Sequence, residues 1–315
     1  MPLRIVQLLL TIILTILLSS CATHNQSDNQ FPTENLKQAT PRYADIQNGH
    51  LEYYRFGKGS PIVLIPGYVT DITSWNKQFL ATLASKHQVI VFNNRNVGGS
   101  LIQSAHYESK DLARDTYQLI QQLHLQKPAI LGVSMGGMIA QQLAVLHPEK
   151  IGELILINTA IAGAQSVHPN SDTEKLMLNI PTSKLGRYLV ALKLFFPPSQ
   201  RIQMGAALAF DRFQPKDYTE IDPTAVMPQQ KLLVLKWTKD NVTAKSIAKL
   251  HLPVLILNGL ADQVIPPKNS IILADTIPHA ELKRWQNGGH AMIYQYPESI
   301  ANAVNTFIAA KNNKK

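Results

Sequence analysis

The run Ala129-Ile130-Leu131-Gly132-Val133 is apolar and short, and it passes through Ser134 directly into Met135–Leu146, a stretch with helical character. A buried strand that turns straight into a helix belongs in a layered α/β sheet, where strands and covering helices alternate along the chain. The alternation recurs on both sides of this point. Leu51–Phe56 alternates apolar and polar as an edge or early strand does, while Ile62–Ile65, Val89–Phe92 and Leu154–Ile157 are continuous apolar runs suited to buried strands. Ser109–Leu123 carries Leu112, Tyr117, Leu119, Ile120 and Leu123 at roughly helical spacing. The rhythm lapses between about Ile161 and Leu250, where helical segments dominate; Leu185–Phe196 is the clearest, closed by Pro197 and Pro198. It resumes with Val254–Leu257, a helix near Asn269–Ala274, a strand at Glu281–Trp285 and a C-terminal helix from Pro297 to Ala310. The spacing predicts an α/β core over 42–160 and 251–315, with a helical cap inserted at 161–250. The apolar cap residues Leu185, Tyr188, Leu189, Leu192 and Phe196 either pack on one another or line a pocket.

At 315 residues, 45% hydrophobic and 16% charged, the chain has the length and composition of a globular protein. Its net charge of +9 favours anionic surfaces. The basic residues are scattered, however, and no nucleic-acid recognition motif accompanies them, which argues against a nucleic-acid partner. Cys21 is the only cysteine, so an intramolecular disulfide and a cysteine metal site are both excluded. None of the ten histidines belongs to a His-x-x-x-His pair, and no metal or other cofactor is expected.

The position of Cys21 has its own meaning. Arg4 precedes an apolar run, Ile5–Leu18, of about 14 residues, short of the ~20 that a membrane-crossing helix needs, so residues 1–20 read as a secretory signal. Leu18-Ser19-Ser20-Cys21 resembles the bacterial lipobox, which implies cleavage before Cys21 and a lipid anchor on its sulfur. Ala22, in place of Asp, points to the outer membrane of a bacterial cell envelope by the same resemblance. Residues 21–41 are rich in Asn, Gln, Ser and Thr and read as a flexible tether.

The chemistry begins at Gly132-Val133-Ser134-Met135-Gly136. Gly-x-Ser-x-Gly alone is a weak signal; between a strand and a helix it reads as a nucleophile elbow, with the hydroxyl presented at a helix N-terminus that favours negative charge. A serine hydroxyl needs a base to take its proton. His290, in Gly288-Gly289-His290-Ala291, follows the Glu281–Trp285 strand and would reach the sheet's carboxyl edge. The base needs an orienting carboxylate, and Asp262 follows the Val254–Leu257 strand. Ser134, Asp262 and His290 therefore stand in the chain order of a catalytic triad on this kind of sheet.

These motifs resemble those of the α/β-hydrolase superfamily over about residues 48–310, most of all its small capped serine hydrolases. Leu64-Ile65-Pro66-Gly67-Tyr68 is similar to the family's His-Gly-aromatic loop, with Pro66 at the usual His. Asn93-Asn94-Arg95-Asn96-Val97-Gly98 is similar to its Asp-x-Arg-Gly-x-Gly turn, with Asn93 and Asn96 at the usual Asp and Gly. The resemblance implies a mostly parallel eight-stranded sheet and an oxyanion hole made by the backbone N–H groups of Tyr68 and Met135. It also implies hydrolysis of a small-molecule or lipid ester through an acyl-enzyme on Ser134. An acyltransferase or a cofactor-free haloperoxidase would carry the same motifs, and a non-catalytic binding lipoprotein would keep the fold alone.

Overall fold

In the computed structural model, residues 31–312 are described, apart from 104, 105, 182, 217 and 219–222. The signal segment 1–20, Cys21 and the first part of the tether lie outside the described residues.

Buried apolar runs become strands wherever both faces can be covered. Strands β1 (Arg42–Ile46), β2 (Gly49–Phe56), β3 (Ser60–Ile65), β4 (His87–Phe92), β5 (Leu101–Ile102), β6 (Ala129–Val133), β7 (Leu154–Ile157), β8 (Val254–Gly259) and β9 (Glu281–Trp285) form one sheet. Its order is β1-β2-β4-β3-β6-β7-β8-β9, with β5 paired to β2. From β4 to β9 all neighbours are parallel; β1, β2 and β5 pair antiparallel at one side. Among the described residues the sheet thus has nine strands where the family likeness implied eight. The extra one is β5, two residues long, below the length at which periodicity can be read.

Alternate residues of the central strands enter two separate cores. Val63, Ile65, Ile130, Leu154, Leu156, Val254 and Ile256 face one. Ile62, Leu64, Leu131, Ile155, Ile157, Leu255 and Leu257 face the other. Helices α3 (Ser109–Gln122) and α4 (Met135–Leu146) cover the first face, contributing Leu112, Leu119, Met138, Ile139 and Leu143. Helices α2 (Lys77–Ala84) and α12 (Pro297–Asn312) cover the second with Phe79, Leu80, Leu83, Ile300, Val304 and Phe307.

Helix α1 (Thr33–Lys37) corrects the tether reading at its far end. Leu36 is 1% exposed and belongs to the second core. Residues 31–41 look polar in composition, yet Leu36, with Phe31 and Ala39 partly buried beside it, seats a helical turn against α2.

Among the described residues, five α-helices lie between β7 and β8: α5 (Ser171–Leu178), α6 (Lys184–Phe195), α7 (Arg201–Phe210), α8 (Met227–Trp237) and α9 (Asn241–Ile247). They and the sheet belong to one compact unit, Phe31–Lys315. Ala244 and Ile247 of α9 join the core beside α4, so the last cap helix is also part of the helical layer. On α6 the apolar stripe splits. Tyr188 and Leu192 pack against Gly205 of α7, whereas Leu185 and Leu189 are 68% and 55% exposed. Among the described residues no helix is long and apolar enough to cross a membrane. Helices α10 (Lys268–Thr276) and α11 (Met292–Gln295) complete the chain.

Candidate active site

Strand order reverses at β3, which has β4 on one side and β6 on the other; a crevice at the carboxyl ends of the strands is expected there. Strand β6 ends at Val133 and α4 begins at Met135, so Ser134 alone turns the chain. It does so at φ +56° and ψ −122°, a conformation that costs a residue with a Cβ about 1–3 kcal/mol. Glycine is required around it. A Cβ on Gly132 would run into the carbonyl oxygen of Gly136, and one on Gly136 into that of Ile65. The elbow is also braced from outside: the Thr159 hydroxyl donates to the Ser134 carbonyl oxygen at 2.7 Å.

Ser134 Oγ lies 3.0 Å from His290 Nε2, and His290 Nδ1 lies 2.8 Å from Asp262 Oδ2. The other carboxylate oxygen, Asp262 Oδ1, accepts from the N–H groups of Val264 at 2.8 Å and Ile265 at 2.9 Å. Asp262 Oδ2 is placed to accept an Nδ1–H, the tautomer of His290 that leaves Nε2 with a lone pair toward the serine hydroxyl. All three side chains are nearly closed off from water, Ser134 at 9%, Asp262 at 4% and His290 at 7% exposure. Part of the cover comes from the cap. The Phe195 ring at the end of α6 lies 5.6 Å from the His290 ring, and the Phe195 carbonyl accepts from Ala291 N–H at 3.3 Å.

The loop after β3 lies against the elbow. A Cβ at Gly67 would sit 3.5 Å from Ser134 Cβ. Among the described residues, neither the Tyr68 nor the Met135 N–H donates to a backbone acceptor. Burial pushes the Tyr68 hydroxyl up to about 12, so it stays neutral well above physiological pH.

Asn158, at the end of β7, had no place among the sequence candidates. It is buried at φ +46°, a left-handed conformation that asparagine tolerates. Its Nδ2 donates to the carbonyls of Gly289 at 2.9 Å and His290 at 2.8 Å. Its Oδ1 accepts from Gly259 N–H at 2.9 Å and Asn258 Nδ2 at 3.2 Å. One side chain therefore ties the histidine loop to the strand end that carries the aspartate. The one sequence signal was a polar pair, Asn158-Thr159, at the carboxyl end of an apolar strand.

The turn after β4 explains its own unusual residues. Asn93 Nδ2 donates to the buried Glu52 Oε2 at 2.6 Å, and its Oδ1 accepts from Ile72 N–H at 2.9 Å; an aspartate there would set two carboxylates face to face. Asn96 adopts φ +59°, which asparagine, like glycine, accepts. Arg95 braces the turn from below through two 2.8 Å bonds to Asp115, both residues buried. Burial pushes the Asp115 carboxyl up and Arg95 pulls it back. A raised folded-state value means that stability is lost as pH rises through it, and removing Arg95 raises it further. Arg95→Met is therefore expected to cost about 3 kcal/mol at neutral pH, with the deficit narrowing as pH falls. Urea denaturation at several pH values reads both.

The sequence matches the family model described as alpha/beta hydrolase fold over residues 60–297, most of the chain. The chain is an α/β-hydrolase. Relatives of this hydrolase include a protein of Pseudomonas savastanoi pv. phaseolicola (strain 1448A / Race 6) that bears the name of a carbamate hydrolase, RutD. It is 28% identical over 259 residues, 80% of this chain and 95% of the relative. The rhodomycin D methylesterase DauP of Streptomyces sp. (strain C5) is 24% identical over 269 residues, 78% of this chain and 89% of the relative. Among solved structures, an alpha/beta hydrolase fold protein from Chitinophaga pinensis superposes with a TM-score of 0.74 at 22% identity, covering 87% of this chain and 98% of that one. The hydrolase relatives imply a small-molecule substrate.

Proposed function

We propose that this hydrolase cleaves carboxylic esters of short or medium acyl chain through an acyl-enzyme on Ser134, with His290 as general base and acid and Asp262 as its orienting partner. One observation carries the reading: an unbroken line of short contacts from Ser134 Oγ through His290 to an Asp262 whose second oxygen is held by two N–H groups. Ser134 attacks the ester carbonyl while His290 Nε2 takes its proton. The N–H groups of Tyr68 and Met135 hold the developing oxyanion, an interaction that strengthens only as charge forms and so lowers the barrier. His290 then returns the proton to the leaving alcohol. A water activated by the same nitrogen releases the acid and frees Ser134. Sequence similarity to a methylesterase supports an ester as the scissile group.

The test is a panel of p-nitrophenyl esters from acetate to palmitate, together with fluorophosphonate labelling and peptide mass mapping. Turnover that is highest for acyl chains below about ten carbons, with label on the peptide carrying Ser134, is the expected result. A label elsewhere with turnover intact overturns the assignment, and predominant transfer to an added alcohol would make the protein an acyltransferase.

The same proposal includes a lipid anchor at Cys21 in a bacterial envelope, outer membrane favoured, supported by Leu18-Ser19-Ser20-Cys21 and Ala22. Metabolic labelling with radioactive palmitate is expected to mark the protein and to be lost in Cys21→Ser; equal labelling of both removes the anchor.

A further inference from the structure

Gln230, on cap helix α8, is fully buried, and its Oε1 accepts from the Val69 N–H at 2.7 Å. Val69 directly follows Tyr68 and is held at φ +51°, a left-handed conformation that β-branched residues avoid. The Val69 N–H shares a peptide plane with the Tyr68 carbonyl, so Gln230 fixes the plane on one side of Tyr68. Thr70 fixes the plane on the other side. Its hydroxyl donates to the Gly67 carbonyl oxygen at 3.0 Å, and in a trans peptide the Tyr68 N–H points opposite to that carbonyl. With both planes held, the Tyr68 N–H has one direction, and the Gly67 backbone beside it lies against Ser134.

Packing alone does not account for a glutamine at this position. A buried glutamine carries a desolvation cost that an apolar residue of the same shape would not, and its amide oxygen is spent on the Val69 N–H. Nor is Gln230 needed to seat α8, which buries Leu233 and Trp237 in the core and has two further ties to the segment before α3. Gln229 Nε2 donates to the Tyr107 carbonyl at 2.6 Å, and Lys236 Nζ to Glu108 Oε1 at 2.8 Å.

We propose that Gln230 is a positioning residue through which the cap aims the Tyr68 oxyanion donor. The proposal rests on the serine-hydrolase reading above. It makes the cap part of the catalytic geometry as well as a cover: the backbone strain at Val69 persists only while α8 supplies the acceptor, and relaxing it swings the donor off the oxyanion.

Gln230→Met keeps the shape and removes the acceptor, while Gln230→Glu keeps an acceptor oxygen. In the full-length protein, Gln230→Met is expected to lower kcat on p-nitrophenyl butyrate by about tenfold to a hundredfold, with KM changed less than about twofold. The inhibition constant of an alkyl boronic acid, which binds as a tetrahedral anion, should rise in proportion. Gln230→Glu should recover kcat to within about threefold of wild type. Should Gln230→Met fold poorly, Gln230→Leu, which also lacks the acceptor, is measured with the same readouts. A purely structural role would lower Tm while leaving kcat and boronate affinity of the folded fraction unchanged, and that result overturns the proposal. Turnover that survives Ser134→Ala would instead bring down the hydrolase reading beneath it, so the two failures are distinguishable.

Discussion

Ser134→Ala is expected to lower kcat for ester hydrolysis by about 10⁵- to 10⁶-fold and to abolish fluorophosphonate labelling. The size follows from what is lost. Without the hydroxyl, His290 has only water to activate, and the remaining donors and binding surface retain about 10³- to 10⁴-fold catalysis over the uncatalysed reaction. Stability should hardly move. Alanine keeps the same strained backbone and loses one hydroxyl contact to His290, so a Tm within a few degrees of wild type is expected. His290→Ala should fall as far, and the double variant no further, because the two side chains act as one unit. Additive losses would mean that they work in separate steps. Wild-type labelling of Ser134→Ala would remove this serine from the mechanism.

Asp262→Asn is expected to lower kcat by about 10⁴-fold near neutral pH while leaving the fold intact. The reason is specific to the hydrogen bonds around this carboxylate. Oδ1 faces two donors, the N–H groups of Val264 and Ile265, so an asparagine must put its carbonyl oxygen there. Its NH₂ then faces His290 Nδ1, which can only accept. The imidazole proton moves to Nε2, and the base points an N–H at the serine hydroxyl instead of a lone pair. Nitrogen NMR of the imidazole, with a kcat profile over pH, reads the tautomer and the rate together. A variant within tenfold of wild type would show that Asp262 neither orients nor stabilises the base.

Much of this was legible in the chain. Ser134 and Asp262 each follow an apolar run within a few residues, and His290 follows the alternating edge strand β9; period-two and period-3.6 patterns survive in any chain that must bury a sheet under helices. Helix α4 falls at Met135–Leu146 and β6 at Ala129–Val133, where the pattern puts them, because buried elements have a sharp apolar signal. Short or exposed elements lack it. Strand β5 is two residues long, and α1 shows only Leu36 to the core. The outward turn of Leu185 and Leu189 was hidden for a related reason: an apolar stripe says that a helix has a face to bury, and the neighbour, here α7 through Gly205, decides how much of it is used.

What the sequence alone determined is the kind of fold, and it singled out three side chains as candidates for the site, since hydrophobic period and residue chemistry are local properties. Only the tertiary structure decided what holds those groups in line. Asn158 meets Gly289 and His290 across more than a hundred residues, and Gln230 meets Val69 across a similar gap. No local pattern encodes such bonds, because a side-chain amide can serve any unpaired backbone group that folding happens to bring within about 3 Å of it.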